Sequence, residues 1–193
     1  MAKGSSARED MLAAAVELFS ARGYEGVGVA ELLEKSGAPR GSLYFHFPGG
    51  KQQIGAEVVA RVGAEVAARF RGLHDSGVDL DTFIERVFRT TAKESKERSY
   101  EASCPMAAIA TGFGNSDVKL AEAVRRAFES WESEIGNAAK ARGMSDTNAT
   151  IFASAMMAAM EGAFILSKAQ RSSAPHINAC RAIKALAASL TPN

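Results

Sequence analysis

The stretch from Ala30 to Phe47 constrains this chain most, because it spells two short helices joined by a tight turn. Val29, Leu32 and Leu33 give the first helix an apolar face at helical spacing. Gly37 stands just past its end, where glycine takes the left-handed conformation most easily. Pro39 then suits the first turn of a second helix, where a missing N–H has no partner to lose. That second helix turns Leu43 and Phe47 inward and offers Arg40, Gly41, Ser42, Tyr44 and His46 outward. A short helix that exposes donors and small residues, braced by its predecessor through a glycine turn, has the form that entry into a DNA major groove requires.

Two runs carry a family resemblance: Ala15 to Tyr24 (AVELFSARGY) and Gly37 to Lys51 (GAPRGSLYFHFPGGK). Over residues 8–55 the chain resembles the tetracycline-repressor (TetR) family of one-component transcriptional regulators, and the second run is similar to its LmrA/YxaF-like branch. The resemblance implies a DNA-contacting set of Gly28, Pro39, Arg40, Gly41, Ser42, Tyr44, His46 and Lys51. Tyr44 and His46 match family positions that hydrogen-bond phosphates, and Lys51 would stand at a helix N-terminus beside the DNA backbone. Arg40 is the candidate for guanine recognition or a phosphate clamp, and Gly41 lets the backbone approach the duplex. Gly28 departs from the family, which places Thr or Ser there. It can cap the following helix but donates no side-chain hydrogen bond.

Charge is informative only locally. The net charge is +1, and up to residue 55 the bases Lys3, Arg8, Arg22, Lys35, Arg40 and Lys51 are matched one for one by Glu9, Asp10, Glu17, Glu25, Glu31 and Glu34. Between Glu34 and Glu57, however, Lys35, Arg40 and Lys51 stand without an acid. Such a strip suffices to place phosphates, and a dimer doubles it.

The 193 residues, 47% hydrophobic and 23% charged, suit a globular chain with a substantial core. Abundant alanine and the lack of alternating strand patterns predict an all-α fold of nine helices. An N-terminal three-helix helix-turn-helix domain over residues 1–52 precedes a helical ligand-binding and dimerisation domain over 53–193. The first helix runs from about Ser6 to Arg22, and a fourth from about Lys51 to Arg71, with Ile54, Val58, Val62, Val66 and Phe70 as its buried stripe. A fifth covers Leu80 to Glu97, and Cys104-Pro105 opens a short sixth. Asn115, Ser116 and Asp117 cap a seventh that Gly143 stops; Ser145 starts the eighth and Pro175 the ninth. No apolar run reaches the roughly 18 uninterrupted residues of a membrane span, and no secretory leader is visible, so a cytoplasmic protein without membrane association is expected. Cys104 and Cys180 make no metal motif and read as small packed side chains.

Phe70, Phe83, Val87, Met106, Ile109, Phe113, Phe128, Trp131, Met156, Met160 and Phe164 form apolar stripes that either fill a core or line a cavity. The family resemblance, in which this region binds an inducer, favours a cavity for a small apolar or aromatic molecule. From Ile151 to Ser167 only Glu161 is charged, so that helix needs cover on more than one side. Ala155, Ala159, Gly162 and Ala163 allow close approach, and Ile177, Cys180, Ile183 and Leu186 supply a matching stripe. These helices predict a twofold interface with a second subunit, in which Glu161 is either a paired interface carboxylate or a polar ligand anchor.

His46, His74 and His176 fall in separate elements, and no nucleophile elbow, metal spacing or phosphate loop is present. The expectation is a non-enzyme without cofactor or metal: a homodimeric repressor that binds a palindromic double-stranded DNA operator and is released by a small inducer. An activator, or a ligand-independent helical interaction module with a filled core, is the alternative.

Overall fold

The computed structural model describes residues 3–114 and 117–191. Among the described residues there are nine helices and no strand: α1 (Lys3–Arg22), α2 (Val29–Ser36), α3 (Ser42–His46), α4 (Gly50–Asp75), α5 (Leu80–Glu97), α6 (Pro105–Ala110), α7 (Val118–Lys140), α8 (Asp146–Gln170) and α9 (Ala174–Leu190). The all-α class is as the sequence predicts, and several boundaries move. Asn115 and Ser116, expected to cap α7, lie outside the described residues.

Local chemistry explains where helices begin. The Asp79 carboxylate accepts the Thr82 N–H at 2.6 Å, and this bond holds its carboxyl below the usual range. Ser145 caps α8 in the same way, accepting the Asn148 N–H at 3.3 Å. The helix expected from Pro39 starts three residues later. Pro39 instead turns the chain, its carbonyl accepting the Ser42 N–H at 2.9 Å and the Ser42 hydroxyl at 2.7 Å. Gly50, expected as part of a break, is the first residue of α4 with φ +59°, and α4 continues to Asp75, one turn past the expected end.

The chain divides into two compact units, one of residues 1–63 with Cys104–Ala127, the other of Ala64–Ser103 with Phe128–Asn193. The first unit includes α6 and the start of α7, which pack against α1 and α4. The Tyr24 N–H donates to the Ala108 carbonyl at 3.4 Å, and the Gln52 amide donates to Asp117 at 2.8 Å. A Cβ on Gly55 would lie 3.0 Å from the Tyr24 ring and 3.4 Å from Leu120, and one on Gly63 would lie 3.0 Å from the Ala127 Cβ. Two glycines on α4 thus let α7 approach closely. Phe19, Val27, Leu32, Leu43, Phe47, Ile54 and Val58 fill this unit's core.

In the second unit α5, α8 and α9 pack together around Phe83, Ile84, Phe88, Phe152, Met156 and Ile183. Arg142 closes the α4–α5 connection by donating to the Val78 carbonyl at 2.6 Å and the Ala138 carbonyl at 2.8 Å. His176, at the start of α9, is fully buried, and burial pushes its imidazole down from 6.5 to about 4. The unfolded chain binds a proton at this residue near pH 6.5, whereas the folded chain does so only near 4. Stability is therefore lost as pH falls through that window and not further below it on this account. Denaturant melts from pH 7 to 4 should show this loss, and the His176→Phe chain should show a shallower slope over the same window.

Candidate nucleic-acid interface

The helix-turn-helix is assembled from few parts. Gly28, extended at φ −88° and ψ 157°, caps α2 without a side-chain hydrogen bond. Gly37, left-handed at φ 66°, ends α2 with its N–H on the Glu34 carbonyl. α3 has five residues, too short to persist alone. Leu43 and Phe47, both fully buried, pin it from one side. The Arg8 guanidinium lies 5.1 Å from the Phe47 ring centroid and pairs with Glu57, tying α1 to the end of α3 and to α4.

What this anchoring leaves outside is the expected set, with amendments. Pro39, Arg40 and Gly41 are exposed, and Tyr44 is 64% exposed. Ser42 is half-buried, and its hydroxyl hydrogen is engaged by Pro39, so toward a duplex it accepts rather than donates. His46 is half-buried, its ring edge-to-face with Phe45 at 5.0 Å. Phe45 is 79% exposed and was missed as a candidate. The signal was available: two residues from both Leu43 and Phe47, it points away from the buried face.

Charge distribution singles out Arg40. Arg8 pairs with Glu57, Arg22 with Glu31, Lys35 with Glu17 at 2.8 Å and Arg61 with Glu9 at 2.8 Å. Lys51 is half-buried, with its ammonium 4.2 Å from the centroid of the Tyr24 ring. Tyr24 itself is pushed up to about 12 by burial and then by the Asp117 and Glu25 carboxylates. Among the described residues of α2, α3 and their turn, Arg40 is the exposed cation with no acid pairing it. A guanidinium held free on a short rigid segment can fork onto a guanine edge or a phosphate.

The apolar candidates divide between the units. Met106 and Ile109 on α6 are buried in the first unit, where Phe113 is half-buried. In the second unit the Phe70 ring meets Phe83 and Trp131, each at 6.3 Å, and Phe128 meets Trp131 edge-on at 5.5 Å. Val87, Met156, Met160 and Phe164 are also buried there, and Phe164 stacks edge-on with His176 at 5.0 Å. An open groove of about 230 Å³ between α7 and α8 is lined by other residues, among them Glu129, Glu132, Asn137, Lys140 and Ser154.

The α8 and α9 faces are partly as expected. Ala155, Ala159, Gly162, Cys180 and Leu186 are half-buried and Ile177 is exposed. Ala163 and Ile183, expected at a subunit contact, are buried within their own unit. Ile151, Ile165 and Leu166 are exposed instead, because they follow the outward side of α8. Glu161 is half-buried with both carboxylate oxygens shielded from solvent.

Comparison with known proteins agrees with this geometry. Residues 11–58 match the profile of bacterial regulatory proteins of the tetR family, and residues 82–181 match that of the LmrA/YxaF-like transcriptional regulator C-terminal domain. The HTH-type transcriptional regulator LmrA of Bacillus subtilis is 31% identical over 189 residues, covering 93% of this chain and 96% of its own. The chain belongs to the TetR family of transcriptional regulators, in its LmrA/YxaF-like branch. YxaF of the same bacterium is 26% identical, covering 91% of this chain and 92% of its own. The fold recurs in a TetR regulator from Legionella pneumophila (TM-score 0.83, 18% identity, 91% and 94% of the two chains). It recurs also in reduced NemR from E. coli (TM-score 0.77, 22% identity, 93% and 96%). TetR-family regulators bind DNA, and the family is one of transcriptional regulators and not of enzymes.

In this TetR-family chain the burial of Phe47 holds α3 in place. Phe47→Ala should cost about 3–5 kcal/mol of stability, measured by denaturant melts.

Proposed function

We propose that this regulator is a homodimeric repressor whose two α3 segments enter successive major grooves of a palindromic operator, and that a small apolar inducer releases it. The observation that carries the reading is Arg40, exposed and unpaired by acid beside Gly41 and Tyr44 on a segment pinned by Leu43 and Phe47. Half-sites lie roughly 34–36 Å apart, one helical turn, so that both segments read one face of the duplex. Pro39, Arg40, Gly41 and Tyr44 approach the groove, while Ser42, His46, Lys51 and the α2 terminus at Gly28 stay near phosphates. Such a regulator works in the cytoplasm, where a bacterial chromosome is.

Dimerisation is supported by the outward side of α8 and α9. Ile151, Ile165, Leu166 and Ile177 are each at least half exposed, an unusual concentration of large aliphatic surface. α8 is long and apolar enough to cross a membrane by length and composition, but cover by a second copy accounts for its apolar outer side without one.

In this reading the inducer binds at the aromatic cluster of Phe70, Phe83, Phe128 and Trp131. α4 carries Phe70 near one end and Lys51 at the other. A ligand that displaces Phe70 shifts this helix and with it the segment beside the DNA. It acts only by preferring the released state, so its effect equals its differential affinity.

Arg40→Ala should weaken specific operator binding by about 1–3 kcal/mol with its melting temperature unchanged. Gel shifts with the DNA upstream of its own gene, repeated across salt concentrations, check this, and an unchanged affinity removes Arg40 from the recognition set. Leu166→Glu with Ile165→Glu should convert the protein to monomer in light scattering. A dimer that survives both changes would move the interface elsewhere.

A further inference from the structure

The second unit has one corner where buried polar groups and backbone strain coincide. His176 on α9, Ser95 on α5 and Ser167 on α8 are buried, yet among the described residues the imidazole Nε2 and both hydroxyls have no hydrogen-bond partner. Ser95 and Ser167 each stand one turn from a residue that touches the His176 ring. The His176 Nδ1 lies 3.1 Å from the Thr91 hydroxyl, one turn before Ser95, and its ring packs on Phe164, one turn before Ser167.

Strain gathers at the same place. Among the described residues the non-glycine positions with positive φ are Ser99 (54°), Tyr100 (60°) and Arg171 (47°). They belong to the segment after α5 and the turn between α8 and α9. These two connections meet where the Tyr100 and Ser173 hydroxyls lie 3.1 Å apart. The Tyr100 N–H is anchored on the Ser95 carbonyl at 2.9 Å and the Ser172 N–H on the Ser167 carbonyl at 3.2 Å. Native interiors seldom leave several polar atoms unsatisfied, and strained non-glycine backbone collects at ligand clamps.

The tautomer says what is wanted. The Thr91 hydroxyl donates to the Phe88 carbonyl at 3.1 Å, so toward His176 it accepts. With the Thr91 hydrogen so assigned, Nδ1 carries the proton and Nε2 presents a lone pair. We infer that this corner is a recognition subsite for a neutral ligand group bearing an O–H or N–H, which donates to the His176 Nε2 between the Ser95 and Ser167 hydroxyls. An anionic group would oppose that lone pair, and an ionised group of either sign would lose its hydration. The inference deepens the inducer reading and rests on it for its biological meaning, while the binding itself does not depend on DNA release.

The test uses the full-length protein at pH 7.5 with three soluble probes of one shape. Cyclohexanol is a neutral donor, cyclohexanone only accepts, and cyclohexylammonium is charged. Binding is read from the melting temperature and from the His176 Nε2 resonance in nitrogen-15 spectra. Cyclohexanol should raise the melting temperature and move the Nε2 resonance, and cyclohexanone should leave that resonance in place. His176→Phe, which keeps a ring against Phe164, should abolish the preference for cyclohexanol. Should that variant not fold, Ser167→Ala should weaken cyclohexanol binding severalfold. Equal binding of alcohol and ketone, stronger binding of the ammonium, or no response to any probe would overturn the subsite. Cyclohexanol binding without any effect on a DNA complex would instead leave the subsite standing and count against the inducer reading.

Discussion

The structure depends on how a five-residue helix is kept in place. α3 gains almost nothing from its own backbone, since nucleation consumes what so short a helix returns. Burial of Leu43 and Phe47, each removed wholly from solvent, contributes on the order of 1.5–3 kcal/mol apiece. Gly37 adds the left-handed turn that aims the chain back toward the core. Every outward residue is set by that inward pair: once Leu43 and Phe47 are fixed, Tyr44 and Phe45 have nowhere to go but solvent. A stable head and a reading surface are thus two consequences of one packing contact.

Electrostatics then decides which outward group carries charge to a partner. The first unit is neutral in sum over its first 55 residues, and its ion pairs are internal: Arg8 with Glu57, Arg22 with Glu31, Lys35 with Glu17. Exposed pairs of this kind stabilise little, but they remove their cations from competition. Lys51 is likewise drawn onto the Tyr24 ring. Arg40 is left exposed, and it is the cation that the proposed function sets against DNA, beside helix ends and neutral donors.

The helical periodicity made most elements legible, since a stripe such as Phe83, Ile84, Val87 and Phe88 has one reading. Capping chemistry made the start of α8 legible through Ser145. Pro39 misled, because a proline that suits the first turn of a helix also suits the turn before it, and only the Ser42 bonds to its carbonyl tell the two apart. Long-range packing was not legible. Nothing local says that α6 and the start of α7 join the first unit, where α6 packs on α1 and Gly55 and Gly63 admit α7 side chains from far along the chain. For the same reason the sequence does not tell that Ala163 on α8 and Ile183 on α9 are covered within their own unit. The polar corner at His176 was hidden too, since three separate helices supply it.

The most direct measurement places an iron chelate on the exposed Tyr44 position, as Tyr44→Cys in a chain with Cys104 and Cys180 replaced by serine, and maps where it cuts bound upstream DNA. The account predicts two clusters of cleavage centred in successive major grooves on one face of the duplex, about ten base pairs apart. Diffuse cleavage along the duplex, or none when the protein is bound, would contradict it.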